Sequence, residues 1–210
     1  RMDHNIGRVL ADLKKHEELD NTLFVFTSDN GACAEWDPFG FDTKSGPTNI
    51  LHRGEQIERM GSPGTYHSVG SGWAGASNTP WRLYKQYNHE GGIAVPCIIH
   101  WPAGMKWQAG TIDPSPTHLI DLVPTCLAAA KMTPQDEDDL PGHSLLPLLR
   151  DERLPDRKLF FEHEGHRAVR HGRWKLVALR GEAWELYDMQ ADRTEQTDMA
   201  SRRHNQVERL

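Results

Sequence analysis

Apolar side chains in the first part of the chain follow two different spacings. They recur every three or four residues at Ile6, Val9, Leu10 and Leu13. This spacing predicts an amphipathic helix over residues 4–19, with Asp3 as its N-cap. The run Leu23 to Phe26 does not alternate with polar residues, which is typical of a strand buried on both faces of a parallel sheet.

The middle of the chain predicts one more strand and one more helix. The apolar run from residue 93 to 101 indicates a buried strand, and apolar positions on one side of residues 117–131 indicate a helix. A short apolar segment, Ser144 to Leu149, is expected to pack on the main sheet. Residues 32–78 show no periodicity, and we expect them to form a long loop.

The pattern changes at Lys158, after which apolar residues come in short runs. These runs are Leu159–Glu162, Arg167–Arg170, Trp174–Leu179 and Glu185–Tyr187. Gly172 and Gly181 stand between the later runs and predict hairpin turns, hence antiparallel pairing. A last helix, 202–210, would cover one face of this sheet. We therefore predict an α/β fold with two domains, an α/β domain at 1–150 and an antiparallel sheet subdomain at 151–210.

Composition limits the classes of partner. The net charge is −6 and no basic stripe is present, which argues against nucleic acid, and no apolar stretch is long enough to span a membrane. Hydrophobic residues make up only 37% and mean hydropathy is −0.67. Together with 18 Gly and 13 Pro, these values predict long irregular segments and apolar faces that are covered by a partner. Exposed sheet edges could support a homo-oligomer.

The first candidate site follows the Leu23–Phe26 run. Ligands of open α/β sheets lie beyond the carboxyl ends of the strands, where Asp29 and Asn30 are expected. A carboxylate and an amide oxygen suit calcium or magnesium, and Gly31 allows a sharp turn. A turn that only reverses the chain fits the same residues.

The second candidate segment runs from Asn78 to Gly92. It carries two cations, Arg82 and Lys85, followed by His89 and Glu90. We expect Arg82 to pair with a carboxylate such as Glu90. His89 could reach a site or lie exposed in its turn, and the residues alone leave both interpretations open.

These segments together resemble the later part of arylsulfatase-type sulfatases. The resemblance is carried by Thr27-Ser28-Asp29-Asn30-Gly31, by Asn78-Thr79-Pro80-Trp81-Arg82-Leu83-Tyr84-Lys85, by His89-Glu90-Gly91-Gly92-Ile93, by His100-Trp101-Pro102, by Gly142-His143-Ser144 and by Glu162-His163-Glu164-Gly165-His166. These motifs keep their order over nearly the whole chain. The resemblance implies an alkaline phosphatase-like fold and a sulfate ester as substrate.

The resemblance also implies roles for single residues. Asp29 and Asn30 would hold calcium, Lys85 would contact the sulfate group, and His89 is a candidate catalytic residue beside it. The family's nucleophile is a formylglycine made in a Cys/Ser-x-Pro/Ala-x-Arg motif, in which none of Cys33, Cys97 and Cys126 lies. We therefore expect the chain alone to bind divalent metal weakly and not to hydrolyse sulfate esters.

Two other functions remain open at this stage. One is a phosphonate or phosphodiester hydrolase on the same scaffold, and the other is a non-catalytic binding or oligomerisation module. Trp36, Tyr66 and Trp73 could contact an aryl substrate or only pack the long loop, and His163 is expected near the mouth of a pocket. The sequence leaves the compartment open between periplasm and cytoplasm.

Overall fold

The computed structural model describes residues 1–35, 58, 68–132 and 140–210. These residues form two compact units, described separately below. The first comprises residues 1–27 and 97–156, and the second comprises residues 28–96 and 157–210. These units do not follow the predicted boundary at residue 150, so the division into domains 1–150 and 151–210 stays a prediction.

The first unit contains three helices and one strand pair. Helix α1 (Met2–Lys15) precedes strand β1 (Phe24–Thr27), and strand β2 (Cys97–His100) is followed by helices α4 (Leu122–Ala129) and α5 (Leu146–Leu149). Trp101, Leu146 and Leu149 form its buried core. Asp121 is fully buried before α4 and accepts hydrogen bonds from the backbone N–H groups of His118 and His143, which fixes the start of that helix.

Several sequence expectations for this unit need correction. Helix α1 begins at Met2, so Asp3 lies in its first turn and not at its N-cap. The strand expected at 93–101 is confined to Cys97–His100. β1 pairs with β2 in the antiparallel sense, and its four residues are only half-buried. The apolar run of β1 gave the correct element, but an unalternating run does not report the direction or number of its neighbours.

The second unit is built around a four-stranded antiparallel sheet, as the sequence predicts. Its strands are β3 (Lys158–His163), β4 (His166–His171), β5 (Trp174–Ala178) and β6 (Glu185–Asp188), paired in chain order. Gly172 and Gly181 adopt φ values of 54° and 79°, which only glycine adopts without strain and which close the turns between strands.

The two faces of this sheet carry separate apolar clusters. One face holds Ala168, Val177, Tyr187 and Met189, and the other holds Val169, Leu176 and Leu186. Helix α6 (His204–Arg209) contributes Val207 to the second cluster, so the terminal helix covers one face as predicted. Helices α2 (Gly70–Ser77) and α3 (Glu90–Ile93) complete the described part of this unit. None of the helices in the described ranges combines the length and apolar character that a bilayer span requires.

Candidate functional site

In the turn after β1, the side-chain oxygen atoms of Asp29 and Asn30 are available to bind a ligand. The Ser28 hydroxyl donates to the Asn30 carbonyl at 2.8 Å, and the Asn30 side-chain amide donates to the Gly31 carbonyl at 2.9 Å. Asp29 is exposed. Within the described residues, the Asp29 carboxylate and Asn30 Oδ1 take part in no hydrogen bond or ion pair. The local bonds therefore shape the turn while these oxygens stay free for a ligand.

This turn is joined to the segment that carries Lys85. The Gly31 N–H donates to the Gly92 carbonyl at 3.0 Å, and the Ala32 N–H donates to Asn78 Oδ1 at 3.0 Å. The Lys85 N–H donates to the Ala32 carbonyl at 2.9 Å. Because these bonds cross between segments about fifty residues apart in sequence, they place the two predicted site segments next to each other.

Gly31 is required at this junction. A Cβ atom added to Gly31 would overlap the carbonyl oxygen of Gly91. The same Gly91 oxygen accepts a 2.7 Å hydrogen bond from the Asn78 side chain, whose amide also donates to the Leu83 carbonyl at 2.9 Å. The Asp-Asn-Gly turn thus serves close packing as well as chain reversal.

Lys85 is half-buried and lies near Cys33. Burial raises the pKa of the Cys33 thiol, as does its contact with Glu35, while the positive charge of Lys85 acts to lower it. Among the described residues Lys85 forms no ion pair, so its ammonium group is available to an anion. The hydrogen bond from the Lys85 N–H to the carbonyl of Ala32, two residues after Asn30, thus places Lys85 beside this turn.

His89 is placed away from solvent. Its side chain is fully buried, and Nε2 lies 3.1 Å from Glu185 Oε2. Burial lowers the pKa of His89 to about 4, although the hydrogen bond that it donates to Glu185 acts to raise it, and the charges of Arg82 and Lys175 lower it further. His89 is therefore neutral at pH 7 and donates its Nε2 proton to Glu185. The catalytic role of His89 stays a prediction, because the contact observed here, with Glu185, holds the loop in place and does not involve a substrate.

Glu185 collects three donors. Besides His89, its carboxylate accepts from Arg82 at 2.7 Å and from the Tyr187 hydroxyl at 2.6 Å. Burial acts to raise the pKa of Glu185, but these donors outweigh it and lower the pKa to about 2. The expected pairing of Arg82 with a carboxylate is confirmed, but the carboxylate is Glu185, which lies 103 residues further along the chain, and not the suggested Glu90.

Glu90 belongs to a second buried group. Its Oε1 accepts from Lys175 Nζ at 2.9 Å, and its backbone N–H donates to Glu195 Oε2 at 2.8 Å. Lys175 also lies 2.8 Å from Glu195 Oε1, and Arg193 reaches Glu90 Oε2 at 3.3 Å. We call Glu90, Lys175, Arg193 and Glu195 the buried charge cluster, although the Arg193 side chain, which closes it on the solvent side, is 48% exposed.

Sequence reasoning missed five contributors to this site: Lys175, Glu185, Tyr187, Arg193 and Glu195. One of them had a signal in the sequence. Lys175 stands two residues before Val177 in β5, so the two side chains lie on the same face of the strand. That face is buried, and an unpaired lysine there would be costly. Glu185 and Glu195 had none, because the residues of the Lys85 segment that they bind, His89 and Glu90, lie about a hundred residues away.

The remaining candidates are engaged in the sheet, exposed, or outside the described residues. His163 is exposed and opposes His166 in the β3–β4 pair. His166 Nδ1 accepts from the Arg180 N–H, which leaves it engaged in the sheet. Trp73 is exposed on α2. Trp36 and Tyr66 lie outside the described residues.

Calcium fits this site in part. Asp29 and Asn30 offer hard oxygens of the type that calcium binds, with no competing protein donor among the described residues. The described part of the chain contains no group of three or more His, Cys, Asp or Glu residues arranged to hold a metal. Since calcium takes six to eight oxygen ligands, these two residues could supply only a minority of its shell.

The fold defines the class of the protein. The structure aligns with a crystal structure of Ps i-CgsB in complex with k-i-k-neocarrahexaose at a TM-score of 0.71 and 25% identity, over 98% of this chain and 38% of the other. It also aligns with BT4656 in complex with its substrate D-glucosamine-2-N,6-O-disulfate at a TM-score of 0.64 and 23% identity, over 99% of this chain and 36% of that one. These folds are of the alkaline phosphatase-like α/β class, as the sequence predicts.

The family follows from the sequence comparisons. The sulfatase family model matches residues 1–132, and a model described as N-sulphoglucosamine sulphohydrolase, C-terminal, matches residues 80–209. The chain belongs to the sulfatase family. It is 32% identical to the uncharacterized sulfatase PB10D8.02c of Schizosaccharomyces pombe, over 84% of this chain and 33% of that protein.

The alignment with a second relative likewise covers only part of that relative. The chain is 32% identical to an arylsulfatase of Klebsiella aerogenes, over 70% of this chain and 31% of that protein. The chain therefore spans about a third of the length of these relatives.

Proposed function

We propose that this chain is the C-terminal part of a sulfuric-ester hydrolase. The observation that carries the proposal is the hydrogen-bonded junction between the two turns. It holds the side-chain oxygens of Asp29 and Asn30 on the same assembly as the ammonium group of Lys85, and none of these groups has a partner among the described residues. Membership of the sulfatase family supports the reaction class.

Each residue has a distinct part in this proposal. Lys85 binds the sulfate group and offsets the negative charge that develops on its oxygens as the ester bond breaks. Asp29 and Asn30 supply two of the oxygen ligands of a calcium ion, and a bound calcium would act as a Lewis acid toward the sulfate oxygens. Glu185 and the buried charge cluster hold the segment on which Lys85 stands.

The proposal implies that the chain needs a further segment for turnover. None of its cysteines lies in the sulfatase nucleophile motif, and the described residues offer only a minority of a calcium shell. We expect the isolated 210-residue chain to bind calcium at millimolar dissociation constants or weaker, a range typical of incomplete or weak sites. Isothermal titration with calcium chloride measures this. A micromolar dissociation constant would contradict the reasoning.

The test of the reaction uses the complete protein. We expect hydrolysis of 4-nitrophenyl sulfate that exceeds hydrolysis of 4-nitrophenyl phenylphosphonate at least tenfold, and loss of activity after chelation with EGTA. Lys85→Ala should lower kcat/KM for the sulfate by about 100-fold, the loss typical for one preorganised charge contact. Lys14→Ala, an exposed lysine at the end of α1, serves as the matched control.

The other outcomes assign the alternative functions. Preference for the phosphonate would point to a phosphonate or phosphodiester hydrolase on the same scaffold. No turnover of either ester by a protein that contains an intact nucleophile motif would point to a non-catalytic binding or oligomerisation module, and size-exclusion chromatography with light scattering would then report its oligomeric state.

A further inference from the structure

Lys175 has an unusual position for a lysine. It lies in the middle of β5, and its side chain is fully buried. Side chains alternate along a strand, so Lys175 shares a face with Val177, while Leu176 belongs to the cluster on the opposite face. A buried ammonium group is costly unless charged partners surround it, so its contacts indicate what this position is used for.

The partners of Lys175 hold Glu90 from two sides. Lys175 Nζ binds Glu90 Oε1, and Glu195 Oε2 accepts the Glu90 N–H at 2.8 Å. Arg193 binds Glu90 Oε2 and also stacks over the Trp81 ring at 4.6 Å. Both the backbone and the side chain of Glu90 are therefore fixed to the C-terminal part of the chain.

Glu90 in turn closes the loop that carries Lys85. The next residue, Gly91, donates its N–H to the Arg82 carbonyl at 2.8 Å, which ties the two ends of the loop together. Leu83 and Gln86, on either side of Lys85, adopt φ values of 63° and 90°. Such values cost free energy in residues other than glycine and persist only where the surroundings impose them.

The buried charge cluster suits this purpose better than an apolar contact would. It contains two carboxylates and two cations, so its formal charges cancel. Apolar residues of similar volume often stabilise a fold as well as or better than buried ion pairs. Ion pairs add direction, because each hydrogen bond fixes both distance and angle.

We propose that Lys175, acting with Glu90 and Glu195, is a positioning residue for Lys85, so that the C-terminal sheet sets the place of the sulfate-binding cation. This inference rests on the proposed function of Lys85. It gives β5 a part in substrate binding. The sequence alone does not indicate this part, because β5 is distant in sequence from the Lys85 loop.

A kinetic double-mutant cycle in the complete protein tests this inference. The variant Lys175→Met with Glu195→Gln keeps the cluster neutral and leaves an amide oxygen to accept the Glu90 N–H, while it removes the lysine bond to Glu90. We expect it to lower kcat/KM for 4-nitrophenyl sulfate about tenfold or more, since small displacements of a binding group have effects of this size. In a Lys85→Ala background the same change should alter kcat/KM less than twofold.

Leu176→Ala provides the matched control. It removes buried apolar volume from the adjacent position on the other face of β5 and should change kcat/KM by the same factor in both backgrounds. Thermal unfolding followed by circular dichroism checks that each variant is folded. If the double substitution unfolds the protein, Lys175→Met with Glu90→Gln is taken through the same cycle with the same expectation, because it also keeps the cluster neutral and also removes the lysine bond to residue 90.

The outcomes separate the two hypotheses. If Lys85→Ala has no effect on kcat/KM, the proposed function of Lys85 is refuted and the positioning role with it. If Lys85→Ala lowers kcat/KM but the effect of the cluster variant is equal in both backgrounds, the positioning role alone is refuted. A cluster effect that disappears without Lys85 supports both.

Discussion

Acidification should weaken the fold through one buried histidine. His89 is fully buried, and its pKa is lowered from 6.5 to about 4, chiefly by burial. Between these two pH values the unfolded chain binds a proton at this position and the folded chain does not. Folding is therefore progressively disfavoured as the pH falls from about 6.5 to about 4, and the contribution is fully present above pH 6.5.

The size of this effect follows from the two pKa values. A difference of roughly two and a half, at about 1.4 kcal/mol for each tenfold change in the equilibrium, corresponds to about 3 kcal/mol of unfolding free energy. That is a large part of the 5–15 kcal/mol that typically separates folded and unfolded states. The charges of Arg82 and Lys175 face the same ring and oppose its protonation.

Neighbouring carboxylates act in other ways that a control can separate. Glu185 has its pKa lowered to about 2, so its contribution is lost only below its ordinary 4.5. Burial raises the pKa of Glu195, against the pull of Lys175, so its contribution falls as the pH rises above 4.5. His89→Gln keeps an N–H donor for Glu185 but does not titrate, and both carboxylates remain in the variant.

Urea unfolding at pH 4, 5, 6 and 7, for the original protein and for His89→Gln, measures the histidine contribution directly. We expect the difference in unfolding free energy between the two proteins to change by about 3 kcal/mol across this range, in favour of the original protein at pH 7. Parallel curves would refute the reasoning and show that His89 titrates near its ordinary pKa in the fold.

Three further predictions concern single positions. Gly31→Ala should destabilise the protein strongly, because the added Cβ meets the Gly91 carbonyl. Its control Gly7→Ala lies in open space on α1 and should stabilise the protein by about 0.5–1 kcal/mol. Thermal melting of both variants tests this, and a raised melting temperature for Gly31→Ala with a lowered one for Gly7→Ala would contradict it. Leu149→Ala should cost about 2–5 kcal/mol in denaturant unfolding, and a loss below 1 kcal/mol would count against the assigned core. Asp29→Ala should raise at least tenfold the calcium concentration that half-activates hydrolysis in the complete protein, because it removes one oxygen ligand, and should leave the melting temperature in EGTA unchanged, because the carboxylate has no partner in the described chain. An unaltered half-activating calcium concentration would remove Asp29 from the metal site.

The C-terminal sheet could be read from the sequence because its signals are local. Each strand is a short apolar run, and Gly172 and Gly181 mark the turns at positions where the backbone needs a positive φ. The pairing of β1 with β2 could not be read in the same way. Its partners lie about seventy residues apart, and an unalternating apolar run is compatible with either direction of pairing.

The candidate site shows the same difference between local signals, which the sequence carries, and contacts between distant residues, which it does not. Motif resemblance identified Asp29, Asn30, Lys85 and His89, and the structure brings the segments of the first three together. The sequence predicts a carboxylate partner for Arg82, but it does not identify Glu185, because Glu185 is remote in sequence. Electrostatic partners of buried charges are chosen by tertiary packing, which residue spacing does not encode.

The contacts of Glu90 join residues that are far apart in sequence, and this affects how the newly made chain folds. Glu90 and Lys175 are 85 positions apart, and Glu90 and Glu195 are 105 apart. During synthesis the supports of the Lys85 loop do not exist until the chain has been made as far as Glu195, 105 positions after Glu90, and contacts so distant in sequence form slowly. A premature stop or proteolytic cut just before β5 would spare every motif residue up to His166 and still deprive the loop of its anchors.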